Sequence, residues 1–220
     1  MLDLAPNSGG NTYRARRFEQ FRPLIDAALA GKPDGEPCRI LDVGGTEAYW
    51  QAFGADLPWD RISVTVTNLT APETSSPSMV ALEADARSMP QFADESFDIV
   101  HSNSVIEHVG LWRDMKAMAD EVRRLAPAYF VQTPYFWFPI EPHARTPFVQ
   151  FLPESLRYRL FMARRCGFYK KAETVGQAMD AIQDAHLLDR RQMETLFPDA
   201  DVVSERAFGF VKSLIAIRQA

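Results

Sequence analysis

With 220 residues, 46% of them hydrophobic and 24% charged, the chain has the length and composition of one folded globular domain rather than a disordered segment. A formal net charge of -5 argues against a general nucleic-acid binder, which needs concentrated Lys and Arg to neutralise phosphates. No apolar core follows a basic start at the N-terminus, and no run of about 18 apolar residues occurs, so neither secretion nor membrane insertion is expected. Cys38 and Cys166 are the only cysteines, and with Cys38 in a predicted buried strand the expectation is two reduced thiols in a cytoplasmic protein.

In chain order, residues 14–29 suit a helix with Pro23 as a kink or a start, and "GKPDGEP" is a turn-rich connector; residues 1–37 therefore form an N-terminal helical appendage. "CRILDV" is a short apolar strand, followed by a glycine pair and by "EAYWQAFGAD", which suits a helix. "RISVTVTNLT" alternates and is β-branched, the second strand. "APETSSPS" is too short and proline-rich for a crossover helix, so a long, mobile loop is expected before a third strand at "MVALEAD". "SFDIVHSNS" gives a fourth strand. Leu111, Met115, Met118, Val122 and Leu125 then fall at helical spacing, and Pro127 stops that helix.

"AYFVQT" is a fifth strand. Residues 134–188 break the alternation with "PYFWFPIEPHARTPF" and then mostly helical sequence. Asp189 and Gln192 suit a capping box for the helix "RRQMETLF", and "ADVVSERAF" and "SLIAIR" close the chain as paired strands. The fold class is α/β: a Rossmann-like, mostly parallel sheet flanked by helices, with a C-terminal antiparallel strand pair and a helical insertion after strand five. The core spans 38–133 and 189–220, and 134–188 forms a substrate-side insertion.

In "RILDVGGTEAYW" a glycine turn joins a strand to a helix, the place where an open α/β sheet collects its ligands. The spacing is not GxGxxG, and Glu47 stands where a pyrophosphate would need positive potential, so a dinucleotide and an NAD-dependent oxidoreductase fit poorly. "ILDVGGT", "EADARSMPQFADESFDIVHSNSVIEHV", "EVRRLAPAYFVQTP" and "GFVKSLIAI" together resemble the class I S-adenosylmethionine-dependent methyltransferases, in particular the small-molecule, type 11 group.

The resemblance implies S-adenosylmethionine as cofactor. It implies that Gly44, Gly45 and Thr46 face its methionine part, with Ser102 and Asn103 on the same side. Asp85 and Ala86 would read adenine, and Asn68 and Leu69, ending strand two, would lie at the ribose. Two departures stand out. Asn68 replaces the usual acidic residue and accepts hydrogen bonds more weakly than a carboxylate, and Glu47 follows the pair where a further glycine is common. A bulky residue at Gly45 is expected to abolish cofactor binding in a folded protein.

A sulfonium carries an already activated methyl group, so the protein has chiefly to align an acceptor and exclude water; a hydroxyl acceptor also needs a base. Glu107, His108 and His143 are the candidates, with Glu141 beside His143 in "FPIEPH". Tyr135 and Trp137, with Glu141, are expected at the substrate, which analogy makes a small-molecule, sugar or lipid-linked acceptor. The mixed basic and aromatic residues 157–171 do not gather their arginines on one helical face and read as a solvated helix, which leaves peripheral membrane contact open. No Cys/His cluster or HExxH spacing occurs, so no metal is expected. The alternative is a non-catalytic binding protein of the same fold. Nothing in the sequence specifies an oligomeric state.

Overall fold

The computed structural model describes residues 9–220, so the first eight residues of the expected N-terminal appendage lie outside the described residues. Helix α1 (Gly9–Ala30) leads to strand β1 (Cys38–Val43), helix α2 (Glu47–Phe53), strands β2 (Ile62–Asn68), β3 (Met79–Glu83) and β4 (Ile99–Asn103), helix α3 (Trp112–Leu125) and strand β5 (Ala128–Pro134). There follow the short strands β6 (Ile140–Glu141) and β7 (Thr146–Pro147), helices α4 (Glu154–Ala163), α5 (Val175–Gln183) and α6 (Arg190–Leu196), and strands β8 (Asp201–Ala207) and β9 (Phe210–Arg218). The main sheet has seven strands in the order β3-β2-β1-β4-β5-β9-β8.

The chain runs outward from β1 through β2 to β3, then returns to β4 on the other side of β1, and these pairings are parallel. That reversal is the switch point at which α/β sheets bind ligands. Val43 pairs with Thr67 and with Ser102, so Gly44, Asn68 and Asn103 leave the sheet side by side at one carboxyl edge. The chain divides into two compact units: the described residues up to Asn103 with Lys116–Val131 and Ile217–Ala220, and Ser104–Met115 with Gln132–Ala216.

In the first unit, α1 runs through Pro23, which neither opens nor ends it. Phe18, Phe21, Leu24 and Ile25 recur at helical spacing and are all buried, so α1 is part of this unit's core. In α3, Met115, Met118, Val122 and Leu125 are buried as expected, but Leu111 is 56% exposed and precedes the helix. Its backbone N–H donates to the Asp114 carboxylate at 2.9 Å, which makes Leu111 the cap residue and takes its side chain off the helical stripe.

Arg124 of α3 staples the connection from β3 to β4, donating to the carbonyls of Met89 and Phe92 and to Asp94 and Glu121. Glu121 also accepts from the Met89 amide at 2.7 Å. The Arg124 guanidinium is the main cause that holds the Glu121 carboxyl below its ordinary value, against the opposing effect of burial. A depressed carboxyl pKa stabilises the fold above the unfolded value, and that stability is lost as pH falls through the folded value. Glu121→Gln is therefore expected to cost about 1.5–3 kcal/mol at neutral pH. Thermal melts should show the gap between variant and parent narrowing as the pH falls below the ordinary carboxyl range.

In the second unit, Ala144, Val149, Phe161, Cys166, Ala172 and Ala178 form a separate small core. Residues 134–188 are less helical than expected: α4 and α5 account for the helix, and the rest is the antiparallel β6–β7 pair and turns. Prolines and left-handed residues explain this, since Arg145 and Phe148 hold φ of 46° and 60°. Gly167 has φ 54°, and an added Cβ would meet the His143 carbonyl oxygen at 2.3 Å. Only glycine lets this turn close on the His143 backbone, where the Phe168 amide donates to the same oxygen at 2.9 Å. The Asp189–Gln192 capping box forms with both bonds present. Strands β8 and β9 are joined at Phe208–Gly209, where φ of 52° and 84° suits a tight hairpin.

Both cysteines are free and buried, and burial pushes the Cys38 thiol up to about 12. Among the described residues, no helix is long and apolar enough to cross a membrane.

Candidate functional site

At the end of β1, Gly44 takes φ 74° and donates its N–H to the Thr67 carbonyl at 2.7 Å. Gly45 follows, and Thr46, in an extended conformation, is the residue before α2. Beneath this turn lies Asp42, 1% exposed. Its Oδ2 accepts from Trp50 Nε1 at 2.7 Å and its Oδ1 is 2.7 Å from His101 Nδ1. The His101 ring is stacked near-parallel to Phe130 and also packs on Phe21 and Tyr49. Burial, then the Asp42 charge, keeps the Tyr49 hydroxyl protonated far above its usual range.

An added Cβ on Gly45 would stand 1.7 Å from Asp42 Oδ2. This corrects the expectation for Gly45: a bulky side chain there displaces a buried carboxylate as well as any ligand, so the variant tests folding and binding together. The Asp42–Trp50–His101 network was missed in the sequence. Its signal is two polar residues, Asp42 and His101, within otherwise apolar parallel strands, where an ionisable group needs partners.

Around the turn, the structure brings together Gly44, Gly45, Thr46, Asn68, Ser102 and Asn103. Thr46 Oγ1 is buried and has no hydrogen-bond partner among the described residues. Asn68 donates from Nδ2 to the Gly45 carbonyl at 2.9 Å, which leaves Oδ1 as its acceptor atom. Leu69 is 73% exposed. Ser102 donates to the Val43 carbonyl, and Asn103 Oδ1 accepts from Arg17 of α1 at 2.7 Å, a contact 86 residues distant in sequence.

Asp85, two residues beyond β3, is held by Arg87 through Nε and a terminal nitrogen, the nearest contact being 2.6 Å. Arg87 is the chief cause of its lowered pKa. Ala86 lies half-buried beside it. Glu47 turns away from the expected phosphate position: it accepts from the Ser75 amide and hydroxyl at 2.6 and 2.9 Å and from Gln51 at 2.8 Å. The Ser75 amide is the leading cause of its depressed pKa. The loop expected to be mobile is thus tied to α2.

The second unit gathers Glu107, His108, Glu141 and His143. Glu107 is fully buried; its Oε2 accepts from Thr133 Oγ1 at 3.0 Å, and its Oε1 has no partner among the described residues. Burial raises its pKa, against the pull of His108 and His143. His108 and His143 meet edge to face with ring centroids 4.8 Å apart. His108 Nδ1 lies 2.8 Å from the Asp184 carbonyl oxygen, and His143 Nδ1 lies 2.8 Å from Glu141 Oε1. Both neighbours accept only, so each Nδ1 carries a proton, and Nε2 is the ring nitrogen left for a further partner.

Glu141 also accepts from the Ala144 amide. Burial is the largest single influence and opposes charge on His143 and on Glu141, but their mutual hydrogen bond and opposite charges, with the Ala144 amide on Glu141 and the acidic neighbours of His143, together outweigh it, raising the imidazole pKa and lowering the carboxyl. The sequence pointed to these residues singly; their meeting depends on contacts spanning up to 76 residues, as from His108 to Asp184.

A cavity of about 280 Å³ in the same unit is lined by Phe136, Glu141, Arg157, Tyr169, His186 and Leu188, among others. Of the three residues expected at the substrate, Glu141 lines this cavity, and Tyr135 and Trp137 do not. Tyr135 is instead tied to the backbone of Lys212 and bridged to Leu188, and Trp137, 58% exposed, stacks on Phe151. Phe136 and Trp137 lie in a turn closed by the Phe138 amide on the Tyr135 carbonyl, and of residues 135–137 Phe136 is the one that lines the cavity.

The sheet order, the parallel switch point and the glycine turn define the class I methyltransferase fold. Residues 34–127 match the family described as a methyltransferase domain, in keeping with that fold. Among solved structures, the chain resembles the DszA carbon methyltransferase, with a TM-score of 0.58 at 12% identity over 96% of this chain and 55% of that one. It also resembles the CurJ carbon methyltransferase, with a TM-score of 0.54 at 13% identity over 92% of this chain and 54% of that one. The chain spans little more than half the length of these two, and at such identities the likeness is one of fold. No curated protein matches the chain.

Proposed function

We propose that the protein transfers a methyl group from S-adenosylmethionine to a small-molecule or lipid-linked acceptor. The observation that carries this reading is the glycine turn at the switch point, where Thr46 offers an unpartnered buried hydroxyl beside the free acceptor atom of Asn68. Gly44, Gly45, Thr46, Ser102 and Asn103 would hold the methionine part of the cofactor. Asn68 Oδ1 would accept from a ribose hydroxyl, with Leu69 against the adenosine. Asp85, with about four acceptor positions on its carboxylate, can keep Arg87 and still accept from an adenine amino group beside Ala86. Bound there, the cofactor supplies an electrophilic methyl carbon.

For the acceptor, the second unit's cavity offers apolar walls with Arg157, Tyr169 and Glu141 as polar anchors, a composition suited to an amphiphilic organic molecule. In the same unit, Glu107, His108 and His143 would be the candidates, where no metal ion occupies them, to take the proton that a hydroxyl nucleophile releases. Two free buried cysteines fit a reducing cytoplasm.

Calorimetric titration of the folded protein tests the reading. Micromolar binding of S-adenosylmethionine and S-adenosylhomocysteine is expected, with none for NAD. Failure of both sulfur ligands would overturn it and favour a binding protein that keeps the fold without the chemistry. Preference for NAD would return the turn to dinucleotides.

A further inference from the structure

We propose that Glu107, His108 and His143 form a binding site for a divalent first-row metal ion of the Zn²⁺ or Mn²⁺ type. Each residue contributes one ligand atom, and the three atoms lie within 4.8 Å of one another. Two imidazole nitrogens and one carboxylate oxygen are a donor set that such ions take, and three protein ligands leave a position open for an oxygen ligand, the pattern of catalytic rather than structural sites. Sequence spacing could not show this, because folding brings His143 to a pair 35 residues away.

Two further observations point to an ion rather than to a packed polar cluster. The first is the orientation of the rings. Each histidine gives its Nδ1 to an acceptor, His108 to the Asp184 carbonyl and His143 to Glu141, and that outer hydrogen bond fixes tautomer and ring so that Nε2 remains to coordinate. The second is Glu107. It is 0% exposed with Oε1 unpartnered among the described residues, and a buried polar oxygen in that state is costly unless something completes it. Ligand atoms around a tetrahedral ion with bonds of about 2.1 Å stand about 3.4 Å apart. The trio would therefore close by about 1.4 Å at most, within reach of side-chain rotation.

The binding of an ion does not depend on the methyltransferase reading, but its role does. On that reading, an acceptor hydroxyl taking the open position would have its pKa lowered and release its proton to solvent, with Glu107, His108 and His143 acting as ligands and not as the base. Acceptors with a metal-binding oxygen would then be preferred.

The test uses the full chain without a histidine tag, treated with chelator and then titrated with Co²⁺ by visible absorption and with Zn²⁺ by calorimetry. One ion per chain is expected. His143→Ala and Glu107→Gln should each weaken binding at least 100-fold, and Glu141→Gln, which alters the outer hydrogen bond to His143 without removing a ligand, 10- to 100-fold. Thermal melts establish that each variant is folded, and two independent ligand variants keep the test valid should one fail. Absence of binding, or affinity unchanged in both His143→Ala and Glu107→Gln, would overturn the site. Metal binding without S-adenosylmethionine binding would sink the functional reading alone, and the converse would sink the metal site alone.

Discussion

Asp42→Ala is expected to destabilise the protein by about 3–5 kcal/mol, because truncating one member of a buried charged network leaves its partners unpaired. The partners here are the Trp50 indole N–H and the His101 ring, both 2.7 Å from the carboxylate; Phe21 and Tyr49 pack on both, and Phe130 stacks on His101. None has access to water to replace the lost bonds, since Trp50 and His101 are 0% and 1% exposed. For a chain of this size the loss corresponds to a melting temperature lower by roughly 6–20 °C. Asp42→Asn should fall between, as the amide oxygen can still accept one of the two bonds. A loss under about 1 kcal/mol in Asp42→Ala would mean that the surroundings repack without the carboxylate.

The same variant should weaken cofactor binding even where it remains folded. Gly45 packs directly on Asp42, so the carboxylate sets the height of the turn that carries the Gly44–Thr46 backbone. This explains why the glycine pair is needed on structural grounds. Gly44 supplies a left-handed bend and Gly45 supplies room for an internal anion. A ligand then meets a turn whose position is fixed from below.

How far the fold was legible follows from which forces were local. The five parallel strands and α3 announced themselves because β-branched runs and a helical stripe are local patterns, and the Asp189–Gln192 capping box lies within one turn. Leu111 misled because it fits the stripe's spacing while serving as the cap. The buried network under the turn was half legible, as Asp42 and His101 are anomalous in apolar strands, but the sequence does not say that they meet. Residues 134–188 were least legible: left-handed Arg145 and Phe148 and the close approach at Gly167 are set by tertiary packing, not by residue preference. Arg17 reaching Asn103, and His108 reaching Asp184, are long-range contacts with no local trace.

Glu107→Gln is expected to make the metal-free protein more stable while removing its metal affinity, a combination that separates a functional carboxylate from a structural one. The parent residue buries a group whose Oε1 lacks a partner, and its raised pKa expresses the same cost. Glutamine keeps the shape, and its carbonyl can still accept from Thr133 Oγ1. Its amide replaces the unpartnered oxygen with two donors in a cluster whose histidine ligand atoms lie within 4.8 Å. Relief of one unsatisfied buried group is worth about 1–3 kcal/mol, or a melting temperature higher by roughly 2–12 °C in scanning calorimetry with chelator present. Sites that carry chemistry commonly give up stability in this way, and neutral isosteres recover it. A variant less stable than the parent would show that the carboxylate holds the fold together through Thr133 and the histidines, and the strongest support for an ion at Glu107 would be lost. A gain in stability with metal affinity retained would place the ion on His108 and His143 with a different third ligand.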